Sequence, residues 1–212
     1  MYVDEVELNG WSIHIPSDGS DIGGVDPVNY GMRLVPGKNQ RLLLWTSGAK
    51  TPGYPAWMAY PPVPRLILPG THVTLCYRVM ADSGTAAGEN AFETDLLLVA
   101  DNQKLNGSFQ RLASGELEDN NWTDTTLRVG SLTPNVWHDV RINYSFNLGK
   151  TISVLSYEID GVVWSIPAKF QTLPGKPCTW TPGAYIQIQL SSLPTALSWS
   201  VLLKKIRLEW SV

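Results

Sequence analysis

Three features are scarce in this chain, and each scarcity excludes something. No stretch shows a convincing helical repeat, so a helical bundle is excluded. No apolar run approaches the ~20 residues that span a bilayer, so membrane insertion is not expected. Charged residues make up only 17% of the 212, and the net charge is −3. That balance gives no electrostatic case for nucleic acid or an anionic membrane as partner.

Histidine and cysteine are scarce too. The histidines are His14, His72 and His138, and the cysteines are Cys76 and Cys178. No His-x-His or Cys-x-x-Cys spacing occurs, so no zinc site is expected and no metal ligand is assigned. Each histidine lies alone among apolar strand residues and reads as structural. There is no Gly-x-Ser-x-Gly elbow and no phosphate-cradling glycine loop. No cofactor is expected. Calcium on oxygen ligands is compatible with "PSDGSDIGGVD" (16–26), but the plain-loop reading is favoured there. The cysteines allow either one disulfide, closing ~100 residues and worth up to ~4.7 kcal/mol, or two free thiols. Two are too few to define a redox compartment. The N-terminal "MYVDEVELNGWSIHI" lacks the basic-then-apolar pattern of a signal peptide. Sequons at Asn106, Asn121 and Asn143 point the other way, although one or two would arise by chance among eleven asparagines. An extracellular or surface setting is favoured over a cytoplasmic one.

Short apolar runs, by contrast, are abundant, and they alternate with Gly, Pro, Asn and Asp turns. Strands are predicted near 2–8, 11–15, 30–35, 41–46, 71–80, 92–100, 108–113, 123–129, 136–146, 151–160, 162–167, 184–191 and 199–210. That pattern is all-β, a sandwich or barrel. No linker or repeat divides it, so residues 1–212 are expected to be a single domain. In "VWHDVRINYSF" Val140, Ile142, Tyr144 and Phe146 alternate with Asp139, Arg141, Asn143 and Ser145, giving one buried and one wet face. Asp160-Gly161 joins "TISVLSYEI" to "VVWSIP" as a tight hairpin. In the last run Leu202, Ile206, Leu208 and Trp210 are expected to face the core, with Lys205, Arg207 and Glu209 outward. This strand is expected to pair with "YVDEVEL" and protect the sheet. "TPGYPAWMAYPPVP" carries five prolines and reads as an extended surface segment.

Nine tryptophans are many for this length. Trp11, Trp45, Trp137, Trp164, Trp199 and Trp210 lie in predicted strands and are assigned to the core. Tyr54, Trp57, Trp122 and Trp180 lie in predicted loops, where a flat ring either stacks on a sugar or is buried under its own loop.

"NVWHDVRINYSF" with "ISVLSYEIDGVVW", "YRV…NAFETDLLL" and "VLLKKIRLEW" together resemble concanavalin A-like lectin and glucanase domains over the C-terminal two thirds. The resemblance implies a jelly-roll sandwich of two curved antiparallel sheets with a glycan bound or cleaved on the concave face. In the glucanase branch one strand carries Glu-x-Asp-x-Glu or a version one residue longer. Here Glu93-Thr94-Asp95 is followed by Leu97 and Leu98 where the last Glu would stand. The other register, from Glu89 to Glu93, has Ala91 in place of the Asp. A missing general acid removes roughly 10²–10⁴ in rate, which argues against a standard glucanase.

Glu93 and Asp95 remain the candidate catalytic residues. A polar or glycan-facing role is favoured over a catalytic one: they serve as hydrogen-bonding groups for a sugar, or simply face solvent or a neighbouring strand. In "AYIQIQL" Tyr185, Gln187 and Gln189 share one strand face, a pattern that suits a sugar floor as well as an ordinary wet face. Ligand contacts are assigned to Trp57, Trp180, Tyr185, Gln187, Gln189 and Arg141. The expected partner is a polysaccharide or other glycan. An enzyme of the same fold and a structural or adhesion sandwich are the alternatives.

Overall fold

A computed structural model describes residues 2–8, 11–14, 30–36, 40–46, 56–59, 70–82, 91–112, 115–118, 124–147, 151–167, 175–191 and 199–211. Among them there is no α-helix, and no helix long and apolar enough to cross a membrane. The strands are β1 (Tyr2–Glu5), β2 (Trp11–His14), β3 (Tyr30–Val35), β4 (Arg41–Thr46), β5 (Ala56–Ala59), β6 (His72–Ala81), β7 (Ala91–Ala100) and β8 (Gln103–Leu112). They continue as β9 (Glu116–Glu118), β10 (Asp124–Arg128), β11 (His138–Asn147), β12 (Thr151–Ile159), β13 (Val162–Ser165), β14 (Lys176–Pro177), β15 (Gly183–Ser191) and β16 (Trp199–Ser211).

Two antiparallel sheets result. Sheet A has the order β13-β12-β11-β6-β16-β4-β3, with β1 also on β16. Sheet B has the order β10-β9-β8-β7-β15-β5-β2, with β14 also on β8. The expected closure is present: Tyr2 to Glu5 run antiparallel to Trp210 to Arg207. Alternation explains the core between the sheets. Val73, Leu75, Tyr77 and Val79 of β6 and Val140, Ile142, Tyr144 and Phe146 of β11 meet Leu96 and Leu98 of β7 and Ile186, Ile188 and Leu190 of β15. Gly107 of β8 leaves room for Tyr144, whose ring atom Cε1 would lie 2.9 Å from an added Cβ. A polar tie crosses this core. The Tyr77 hydroxyl is 3.1 Å from Thr94 Oγ1 on sheet B and 3.3 Å from the Tyr157 hydroxyl. Burial, then the neighbouring Tyr157, push the Tyr77 phenol well above its ordinary pKa, so it stays a donor.

The structure revises three expectations and decides between the two alternatives left open for the cysteines. Within the proline-rich segment, Ala56–Ala59 is a strand paired on both edges, with β15 and β2. These four residues contain no proline, so each keeps the N–H a ladder needs. Leu202 does not face the core. Val201 and Leu203 do, and after a bulge near Lys205 the phase changes so that Ile206, Leu208 and Trp210 point inward. Of the six tryptophans assigned to the core, Trp11 and Trp210 are buried there and Trp164 packs against it. Trp45 is half-buried, its ring over Gly31 of the neighbouring edge strand, and Trp137 is half-buried beneath Lys204. The side chain of Trp199 lies outside the described residues. Finally, Cys76 and Cys178 are free thiols, one in sheet A and the other after β14. Burial pushes the Cys76 thiol up to about 11, against the opposing pull of Arg141.

The Asp160-Gly161 hairpin has the positive φ values expected, +50° and +83°. Its aspartate also fastens the meander. Oδ1 accepts from the Asp139 amide at 2.8 Å, and Oδ2 lies 2.6 Å from His138 Nδ1. His138 Nε2 accepts the Thr133 amide at 2.9 Å, so Nδ1 carries the proton and donates to Asp160. Partial burial raises the Asp160 pKa, but these donors outweigh it and hold the carboxyl below its usual value. A depressed carboxylate pKa contributes stability above the unfolded value of about 3.9, lost as pH falls through the lower folded value. Asp160→Asn is therefore expected to lower the unfolding midpoint at pH 7, and the gap from the parent should close as pH falls below the folded pKa. Urea melts at a series of pH values test this, and a gap that does not change with pH would contradict it.

Candidate functional site

Strand β7 is the centre of the site because it is buried on both faces. Every residue from Phe92 to Val99 is buried. Phe92, Thr94, Leu96 and Leu98 serve the core side, through the main cluster and the Thr94–Tyr77 tie. Glu93, Asp95, Leu97 and Val99 occupy the opposite side, the outer face of sheet B. Glu93 is 6% exposed and Asp95 2%. The two candidate carboxylates therefore lie off the core but sheltered, not in open solvent.

Pairing brings the predicted amides to them. Gln187 stands opposite Asp95, and Gln189 opposite Glu93. Gln187 Nε2 donates to Asp95 Oδ2 at 2.9 Å. That bond fixes the carboxamide with its NH₂ toward the acid and its carbonyl turned away from it. Gln187 is half-buried and Gln189 buried. Tyr185, opposite Leu97, is buried as well, and its hydroxyl donates to the Thr181 carbonyl at 2.8 Å.

Tyr185 packs with Leu97 and Val99 into a small cluster separate from the core, with Cys178 and Trp180 against it. The Trp180 ring lies 5.2 Å from Tyr185, tilted by 57°, and Lys104 Nζ stands 4.8 Å over the indole. The outer face of sheet B thus has a carboxylate-and-amide region and, toward the β14 end, an aromatic one.

Register sets further positions in line with these across the sheet. A transverse row of directly paired positions runs His14, Ala56, Gln189, Glu93, Gln110, Glu118 and Asp124. Ser12, Met58, Gln187, Asp95 and Ser108 form the next row. Neighbouring positions in such a row are about 4.8 Å apart. Gln110, Glu118 and Asp124 were not among the predicted site residues. Only strand pairing reveals them, since nothing local in the sequence links them to Glu93.

Of the predicted ligand residues, Glu93, Asp95, Gln187, Gln189, Tyr185 and Trp180 come together on this face. Trp57 contributes its backbone to β5, opposite Ile188, and its side chain lies outside the described residues. Arg141 does not belong to the group. It lies on the outer face of sheet A, 2.7 Å from Glu209 Oε2. The Asp-rich stretch 16–26 lies outside the described residues. Among the described residues no group of three or more His, Cys, Asp and Glu could hold a metal ion. The Asn143 sequon sits in β11 with its side chain engaged: its carbonyl accepts from Thr74 at 2.6 Å and its NH₂ donates to Ser156 at 2.8 Å.

No protein-family model matches the chain, and no curated protein sequence does. Solved structures do share its shape. A peanut lectin structure superposes over 100% of both chains with a TM-score of 0.51 at 8% identity. The alginate lyase vAL-1 from Chlorella virus superposes over 97% of this chain and 98% of its own, with a TM-score of 0.53 at 9% identity. The fold is the concanavalin A-like jelly roll. At this identity the likeness concerns the fold alone.

The Gln187–Asp95 bond ties β15 to β7 through a buried carboxylate, and hydrogen bonds to charged groups are worth about 1.5–3 kcal/mol. Gln187→Leu is expected to lower unfolding stability by that amount, seen as a lower urea midpoint at unchanged slope. An unchanged midpoint would show that the bond contributes nothing to the fold.

Proposed function

We propose that residues 1–212 form a single carbohydrate-binding domain that holds a polysaccharide or other glycan along the outer face of sheet B. The observation that carries this reading is the transverse row, in which Gln189, Glu93, Gln110, Glu118 and Asp124 hold directly paired positions on successive strands. Sugar hydroxyls need donors and acceptors at short intervals, and side-chain amides supply both. Gln187 is the more accessible of the two β15 amides and makes the contact. Asp95 beneath it holds the amide in one orientation, which lowers the entropy lost on binding. Trp180, half-buried and backed by the buried Tyr185, offers ring surface beside the rows for the C–H face of a sugar. The sandwich fold supports the reading, since one of the proteins that share it is named a lectin and another an alginate lyase.

One observation favours cleavage as a second reading. The glutamate missing from β7 has a counterpart two strands away, where Glu118 stands in the same row as Glu93. Two strand spacings put the backbones about 9.6 Å apart. The carboxyls of an inverting glycosidase lie about 6.5–9.5 Å apart, and substitution of Glu93 and Glu118 tests whether they act as such a pair.

A glycan array and a reducing-end assay on mixed polysaccharides test both readings. Binding is expected, and Gln187→Ala should weaken it about tenfold, the loss of one well-placed hydrogen bond. Turnover that vanishes in Glu93→Gln and Glu118→Gln while binding persists would establish the enzyme. An array with no hit, together with a stable oligomer in solution, would reject glycan binding in favour of a structural role.

A further inference from the structure

The long strand β16 breaks its alternation at one residue. Lys205 has a φ of +53°. Pairing with β6 jumps there from Lys204–Arg78 to Arg207–Cys76, so that two residues of β16 stand against one of β6. A left-handed backbone is disfavoured for a lysine, and strain of this kind is characteristic of ligand clamps and of bulges beside functional sites.

This bulge borders a cavity of ≈ 280 Å³ on the outer face of sheet A. Its lining includes Arg78, Arg141, Lys205 and Arg207, with Asp139 as its one carboxylate and Cys76 also in the wall. The three arginines are held in place from the side. Arg78 pairs with Asp139 at 2.8 Å, and Glu209 takes Arg141 at 2.7 Å and Arg207 at 2.9 Å. Glu158 lies 3.7 Å from Arg141, and Glu5 stands opposite Arg207 on β1. A guanidinium has five N–H donors, and these pairs use a minority of them. No carboxylate among the described residues forms an ion pair with Lys205. Next to it, Lys204 has its pKa lowered, first by burial and then by repulsion from Arg78, Lys205 and Arg41. Cations are crowded here beyond what the carboxylates balance.

We propose that the cavity beside the Lys205 bulge binds a tetrahedral oxyanion, a sulfate or phosphate group carried on an anionic ligand. Pre-set guanidinium forks match such oxygens in geometry and charge. The left-handed backbone presents the lysine as the remaining donor. The site is on the sheet opposite the transverse row, so it stands or falls independently of the glycan reading.

Sodium sulfate and sodium phosphate are titrated into the protein with ionic strength held constant by sodium chloride, and Tm is read at each point. A saturable rise with either oxyanion is expected, because a ligand that binds only the folded state stabilises it by mass action. Lys205→Gly, which suits the left-handed backbone, should start from a higher Tm than the parent and lose about tenfold or more in apparent affinity. Lys205→Asn, which tolerates the same backbone, should lose affinity likewise. A sulfated oligosaccharide and a sugar phosphate are compared in further arms, and the tighter of the two identifies the carrier. The proposal is overturned if chloride at matched ionic strength gives the same rise, or if both Lys205 variants keep the parent's apparent affinity.

Discussion

The register between β7 and β15 is the constraint on which the rest depends. A slip of one residue between them would turn one of the two strands over. Either Leu96 and Leu98 would leave the core and Glu93 and Asp95 be driven into it, or Ile186 and Ile188 would leave and Gln187 and Gln189 enter. The observed register does two things at once. It fills the space between the sheets with branched aliphatics, and it sets each outer acid directly opposite an amide. Burying a carboxylate is tolerable only where donors meet it. The pairing of Asp95 with Gln187 supplies one such donor, to Oδ2, and creates the polar surface in the same step.

The two sheets divide the labour differently. In sheet B the outer face of β7 is sheltered and combines acids, amides and an aromatic cluster. In sheet A the outer face is a network of ion pairs and short polar links: Arg141 and Arg207 on Glu209, and Thr74, Asn143 and Ser156 in a chain. The donors around Glu209 hold its carboxyl below the usual value in spite of partial burial. Between the faces, the Tyr77–Thr94 contact is a polar tie across the core. It offers one fixed reference for how the sheets align.

Much of this was legible in the sequence. Period-two alternation located β11, β12 and β16, the Asp-Gly pair located a hairpin, and the closing of the N-terminal strand on the C-terminal one followed from their patterns. What escaped was information held between strands. β5 was hidden by flanking prolines that do not themselves enter the ladder. β8 begins at Gln103, before the predicted start, because "QKLNG" carries no apolar alternation of its own. Leu202 was misassigned because a bulge resets the phase, and nothing local marks Lys205 as the residue that adopts a positive φ. The acids and amides of β7 and β15 could be read as candidates, since each set lies on one strand. Gln110, Glu118 and Asp124 could not, because their place beside Glu93 is set by pairing alone. Arg141 was grouped with the others on residue type, and topology assigns it to the other sheet.

The central claim is that a glycan lies along the outer face of sheet B. Backbone amide chemical shifts, recorded while an oligosaccharide identified on the array is titrated in, test it most directly. The account predicts that the shifts concentrate on Glu93 to Val99 and on Tyr185 to Gln189, with β11 and β16 unmoved. Shifts confined to sheet A would contradict it.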